Sequence, residues 1–161
     1  MKDFKAMNEL KSQFGDKLNV LGVFCNQFGH QTNEDNEDIL NTLKYVRPGS
    51  GFESKADLFG KVLVNGSNSH PLFKWLRAAM PAPCDECGVD TKNQGTDDRD
   101  VLVLPRGGFE GTVVVPWSPV TRTDIAWNFE KFLLDKTGAP VNRFSRYYPT
   151  GSIGKDIEAL V

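Results

Sequence analysis

The apolar positions of this chain recur first at helical and then at strand spacing. Phe4, Met7, Leu10 and Phe14 stand on one face of a helix over residues 2–14, which Gly15 stops. Residues 18–24 are short and mostly apolar, as a central strand buried on both faces should be. Asn33 or Asn36 can cap the next helix, whose first turn is acidic and whose apolar face is Ile39, Leu40, Leu43 and Val46. Arg47-Pro48-Gly49 ends it. Residues 61–64 predict a second strand, Asn65-Gly66 a turn, and Pro71 the first residue of a third helix carrying Leu72, Phe73, Trp75, Leu76 and Met80. Later, Phe129, Lys131 and Leu133 alternate with Glu130, Phe132 and Leu134, the period of a strand. Asp135-Lys136-Thr137-Gly138 is turn chemistry, and residues 140–144 can return as the paired strand. Ile157, Leu160 and Val161 close the chain as a short helix.

Between these blocks, residues 81–111 loosen into Pro, Gly, Asp and Asn, broken by the apolar run 101–104; residues 112–115 and 117–120 then lead into the hairpin. A connection that long is commonly functional, contact-forming or disordered. The succession of helix, strand, helix, strand, helix, hairpin and helix predicts an α/β sandwich. Its parallel pair comes from 18–24 and 61–64, with the hairpin at the edge. That is the layout of a thioredoxin-like domain missing its N-terminal strand, and no boundary better than the 81–111 loop divides residues 1–161, so a single domain is expected.

Composition narrows the classes. At 161 residues, 39% hydrophobic and 25% charged, the chain can bury a full core. A net charge of −2 gives no electrostatic case for nucleic acid or an acidic membrane. The apolar runs are far too short to span a bilayer, and Met1-Lys2-Asp3-Phe4 begins no signal peptide. Cys25, Cys84 and Cys87 are too few and too odd in number for a secreted disulfide framework, which makes a cytoplasmic protein the default. Cys84 and Cys87 could form a redox dithiol or half a zinc site. They follow a helix rather than open one, have no second pair, and His30 and His70 lack ligand spacing, so surface thiols are expected, a local disulfide next, and no metal.

Two stretches carry candidate chemistry. The polar loop Cys25-Asn26-Gln27-Phe28-Gly29-His30-Gln31 follows directly on a strand, where α/β folds concentrate function. Trp127-Asn128 sets an indole N–H beside a carboxamide, two donors that can meet an anion without carrying charge. Taken alone, the pair reads more readily as a core Trp and a turn Asn.

Six ordered blocks resemble the glutathione peroxidase family: residues 25–31; Leu43-Lys44-Tyr45-Val46-Arg47-Pro48-Gly49; Val64-Asn65-Gly66 with His70-Pro71-Leu72-Phe73; Trp117-Ser118-Pro119-Val120; Trp127-Asn128-Phe129-Glu130-Lys131-Phe132-Leu133; and Arg143-Phe144-Ser145-Arg146. The resemblance implies a thioredoxin-like fold and reduction of hydrogen peroxide and organic hydroperoxides by two glutathiones. A selenocysteine or cysteine attacks the O–O bond and is recycled by thiols. It implies catalytic roles for Gln31, Trp127 and Asn128, and Arg47 and Arg143 as forks for glutathione carboxylates. Lys2 and Asn142 stand where the family has further such Arg residues.

The peroxidatic residue of the family falls ahead of the helix that opens here, and Cys25 matches a family cysteine that is not the nucleophile. The sequence is therefore expected to be an N-terminally truncated form of a selenocysteine enzyme, inactive in isolation; a non-catalytic thiol-binding or oligomerising homologue is the alternative. Residues 39–45 hold no resolving cysteine. That absence, the Arg47-Pro48-Gly49 segment and the long loop resemble the tetrameric, glutathione-using members. The implied partners are glutathione and hydroperoxides, with no bound cofactor, a homotetramer when full length, and an extracellular location possible besides the cytoplasm.

Overall fold

The computed structural model describes residues 2–84 and 115–161. The 101–104 run, Cys87 and most of the 81–111 loop lie outside the described residues, as do 112–114. Two compact units are present: residues 1–62 with 149–161, and residues 63–148.

In the first unit, helix α1 spans Lys2–Phe14, as its apolar spacing predicts. Leu10 is buried, and Phe4 packs its ring 6.4 Å from Phe24 and edge-on to Phe52 at 5.9 Å. Lys11 donates to the carbonyls of Gly15 (3.0 Å) and Leu18 (2.5 Å), satisfying acceptors beyond the last turn. The chain's end returns to this helix. Thr150 donates its hydroxyl to Asp3 at 2.8 Å, and Ile153 and Ile157 are buried as a short turn runs into α4, Gly154–Glu158. Val161, expected on the apolar face, is exposed.

Strand β1 is Leu21–Phe24 and pairs in parallel with β2, Asp57–Lys61, in the register Leu21↔Asp57, Gly22↔Leu58, Val23↔Phe59 and Phe24↔Lys61, with a bulge at Gly60. The parallel pair is as expected, but its second strand lies earlier than residues 61–64. The reason is where the backbone groups go. Val62 still donates to Phe24 at 2.9 Å, whereas the Leu63 carbonyl already accepts His70 N–H at 2.8 Å. The run 61–64 therefore marks entry into a core, with Val64 buried, rather than a ladder.

The second helix also departs from expectation. A 3-10 turn, Asn36–Asp38, leads into one turn of α2, Ile39–Asn41, which widens into a π-turn, Thr42–Val46. Bonds from Arg47 N to Thr42 O (2.8 Å) and Gly49 N to Leu43 O (2.9 Å) hold the wider loop. Ile39 and Leu43 are buried, whereas Leu40 and Val46, both expected on the apolar face, are 63% and 73% exposed. Asn36 does not cap this helix. Its side-chain oxygen accepts Lys61 N–H at 2.9 Å.

In the second unit, α3 covers Pro71–Ala79, with His70 as cap: its Nδ1 accepts Leu72 N–H at 3.3 Å. Strands β3, Lys131–Leu134, and β4, Pro140–Phe144, form the antiparallel hairpin in the register Lys131↔Phe144, Phe132↔Arg143 and Leu133↔Asn142. Asp135 shapes the turn, its Oδ1 accepting Thr137 N–H (2.8 Å), the Thr137 hydroxyl (2.6 Å) and Ala139 N–H (3.0 Å), with Gly138 at φ 87. The strand starts at Lys131, not at Phe129. Phe129 sits at φ 61, a conformation no strand contains, and belongs to the turn before it.

Candidate active site

Gln31 is carried by a loop built on buried anchors. Cys25 and Phe28 are buried at its start, and the Cys25 thiol and Gln27 bond each other, Sγ donating to Oε1 and Gln27 N–H donating to Sγ, each at 3.4 Å. Gly29 (φ 65) and His30 (φ 49) then turn the chain back. Asn26 closes the return: its Oδ1 accepts Thr32 N–H and its Nδ2 donates to Asn33 Oδ1, both at 2.9 Å. Asn33 in turn donates to the His30 carbonyl at 2.7 Å. From β2, the Lys61 ammonium reaches the carbonyls of Thr32 (3.4 Å) and Glu34. Gln31 is exposed at the crest, between residues that are individually fixed.

Trp127 and Asn128 occupy a half-buried turn in the other unit, reached through two polar hubs. Asn65, 1% exposed, holds the backbone of Ile125 from both sides, donating to its carbonyl at 2.8 Å and accepting its N–H at 2.9 Å. Asp124 is buried and accepts Arg77 Nη1 (2.6 Å), Trp117 Nε1 (2.8 Å), and the hydroxyl (2.8 Å) and N–H (2.9 Å) of Thr121.

The turn itself is closed by Glu130, whose Oε2 accepts Ala126 N–H at 2.9 Å and whose Oε1 meets the Arg143 guanidinium. Both side chains of that pair are 1% exposed. Burial pushes the Glu130 carboxyl above its ordinary range, and the Arg143 charge and the Ala126 N–H pull it back without cancelling that. What the arrangement offers chemically is two uncharged side chains, an indole and a carboxamide, on a braced turn.

The two arginines expected to hold carboxylates part company. Arg47 is exposed. Arg143 is not placed to receive a ligand: beyond Glu130 it donates to the carbonyls of Met80 (2.9 Å), Pro81 (3.1 Å), Thr123 (3.0 Å) and Asp124 (3.0 Å), and its face lies 5.2 Å from the Phe132 ring. Five protein acceptors consume its fork, so its role is to brace the turn, a correction to the sequence expectation. Glu130, Asn65 and Asp124 are the supporting residues that sequence reasoning passed over. The signal for Glu130 was its place one residue before a strand paired with Arg143's strand.

Cys84 is exposed, and its backbone N–H donates to the Arg143 carbonyl at 2.8 Å, while its potential partner Cys87 is outside the described residues. Among the described residues no cluster of His, Cys, Asp and Glu is arranged for a metal ion, and no helix is long and apolar enough to cross a membrane.

The family model for glutathione peroxidase matches residues 1–77. The whole chain is 49% identical to glutathione peroxidase 1 of Macaca fuscata fuscata, spanning 72% of that relative. Over 99% of its length it is 49% identical to glutathione peroxidase 1 of Rattus norvegicus, spanning 71%, and 46% identical to glutathione peroxidase 2 of Pongo pygmaeus, spanning 75%. Among solved structures, Trgpx in apo form and T. cruzi GPX1 each align at TM-score 0.55 and 23% identity. They cover 98% of this chain, and 69% and 70% of theirs. At that identity the likeness speaks to fold alone, and it bears out the thioredoxin-like α/β reading.

Proposed function

Because the chain belongs to the glutathione peroxidase family, we propose that it forms the donor-bearing part of a single domain that reduces hydrogen peroxide and organic hydroperoxides with glutathione. A selenocysteine or cysteine thiolate attacks the peroxide O–O bond, one oxygen leaves, and two thiols return the resulting selenenic or sulfenic acid to its starting state. Gln31, Trp127 and Asn128 are the uncharged donors that favour the anionic nucleophile and stabilise the departing oxygen. The observation that carries this reading is the Trp127-Asn128 turn, held from below by the Glu130–Arg143 pair in a chain 49% identical to named peroxidases. Arg47, exposed, is the guanidinium left to meet a glutathione carboxylate. A homotetramer belongs to the same reading, and sedimentation of the full-length protein at micromolar concentration checks it.

In a full-length protein bearing the nucleophile, Trp127→Phe, Asn128→Ala and Gln31→Ala should each lower turnover by about tenfold to a thousandfold. Wild-type rates and nucleophile pKa in all three would sink the assignment. The 161 residues on their own are expected to show no glutathione-dependent turnover above a thiol control, because Cys25 is buried, its thiol bonded to the Gln27 side chain. Turnover lost only in Cys25→Ser would make that residue the nucleophile. Turnover lost only in the Cys84→Ser, Cys87→Ser double variant would make those thiols an active pair.

A further inference from the structure

We propose that Phe129 is a positioning residue for the Trp127-Asn128 pair, its left-handed backbone setting the direction in which the two side chains leave the turn. The proposal rests on the donor role assigned to that pair above. Phe129 stands at φ 61, where a Cβ crowds the following carbonyl oxygen and a bulky aromatic residue is an outlier.

The sequence offers a less strained place for that conformation. Asparagine tolerates the left-handed region because its short side chain bonds nearby backbone, and Asn128 lies one residue earlier in the same turn. In that role its carboxamide would serve the turn. The positive φ falls on Phe129 instead, which releases the Asn128 side chain from that task. Strain placed on the less tolerant residue beside a candidate site is the kind that function explains better than folding does.

The surroundings hold the conformation. Upstream, Asn65 bonds both backbone groups of Ile125, and Ala126 N–H donates to Glu130 Oε2 at 2.9 Å. Downstream, Lys131 pairs with Phe144 as β3 begins, and its ammonium donates to the carbonyls of Ser145 (2.7 Å) and Tyr148 (2.6 Å). With both ends held, a left-handed residue between them leaves the peptide planes of Trp127 and Asn128 a narrow course, and with them the Cα–Cβ directions. Phe129 therefore acts through its backbone, whatever its ring contacts.

The test separates backbone from ring. Phe129→Ala and Phe129→Gly both remove the ring, but only glycine takes a positive φ without strain. In the full-length enzyme the glycine variant should be the more stable, its unfolding constant about threefold to tenfold smaller, the reverse of the usual order. Phe129→Val carries a branched Cβ that resists this region most. Under conditions where all three are folded, kcat should fall in the order glycine, alanine, valine, with the KM for glutathione unchanged. The Trp127 indole ¹H–¹⁵N signal, identified by its loss in Trp127→Phe, should differ between the glycine and valine variants.

An alanine variant as stable as glycine or more so overturns the proposal, because Phe129 is then not held left-handed. The expected stability order with equal kcat in all three overturns it in favour of a purely structural role. So does an indole signal at one position in the glycine and valine variants, both ringless. A raised KM with unchanged kcat would make Phe129 a substrate contact instead. If Trp127→Phe and Asn128→Ala leave turnover intact while the indole signal still follows the backbone, the donor role fails and the positioning stands, so the two claims separate.

Discussion

The Gln31 loop and the Trp127-Asn128 turn present the same kind of side chain by opposite means. The loop is held mainly by neutral amides: Asn26, Asn33 and the backbone of Thr32 and His30 bond one another near the surface, with one lysine drawing in two carbonyls. Each such bond contributes about 1 kcal/mol net, and water can replace any of them. The turn is held by buried charge, in the Glu130–Arg143 and Arg77–Asp124 pairs. Such pairs add little over an apolar filling, but removing one partner strands the other out of water. The first design degrades gradually; the second fails abruptly.

That contrast can be broken from either side. The largest effect expected is Glu130→Gln, which keeps an acceptor for Ala126 N–H but leaves Arg143 uncompensated; it should cost about 3–5 kcal/mol in urea unfolding. Glu130→Leu with Arg143→Met should recover most of that loss, and a double variant no more stable than Glu130→Gln would refute the account of the pair. Next is Asn65→Leu, which orphans the N–H and carbonyl of Ile125 and should cost about 2–3 kcal/mol.

On the neutral side, Asn26→Ala should cost only about 1 kcal/mol, yet lower full-length turnover more than that loss implies, because Gln31 loses its fixed crest. Equal damage from Asn26→Ala and Glu130→Gln would erase the distinction. The smallest effect concerns acid. Asp135 has its carboxyl lowered by the Thr137 hydroxyl, then by the N–H groups of Ala139 and Thr137. A lowered folded value means stabilisation present above the unfolded value of about 3.9 and lost as pH falls through the folded one. The stability advantage of wild type over Asp135→Asn should therefore hold constant down to about pH 5 and shrink progressively below it.

Local pattern gave the parts of this fold that local physics decides. Phe4, Met7, Leu10 and Phe14 place α1, Pro71 opens α3, and Asp135 with Gly138 turns the hairpin. Where partners are distant, the pattern misleads. An apolar run at 61–64 reads as strand, although the ladder belongs to Asp57–Lys61, whose ends are charged. Gln31, Trp127 and Asn128 stood out through their motifs, but the residues that hold their turns did not. Arg143 carried the same motif weight as Arg47. Only the carbonyls of Met80 and Pro81, more than sixty residues away, show that its fork is occupied. Asn65 was hidden by its own neighbour, since Asn-Gly reads as a turn whatever the side chain does.

That Asn-Gly pair bears on how the protein ages. Asparagine before glycine is ordinarily the fastest site of spontaneous deamidation, because the glycine nitrogen can swing onto the side-chain carbonyl and expel ammonia. Here both ends of the Asn65 amide are bound to Ile125, and a Cβ on Gly66 would meet Trp117 at 3.0 Å, which leaves the backbone little room to swing. The bonds that hold the approach to Trp127 also keep the chain's most perishable dipeptide from its own chemistry, and the folded protein outlasts what its covalent sequence alone would allow.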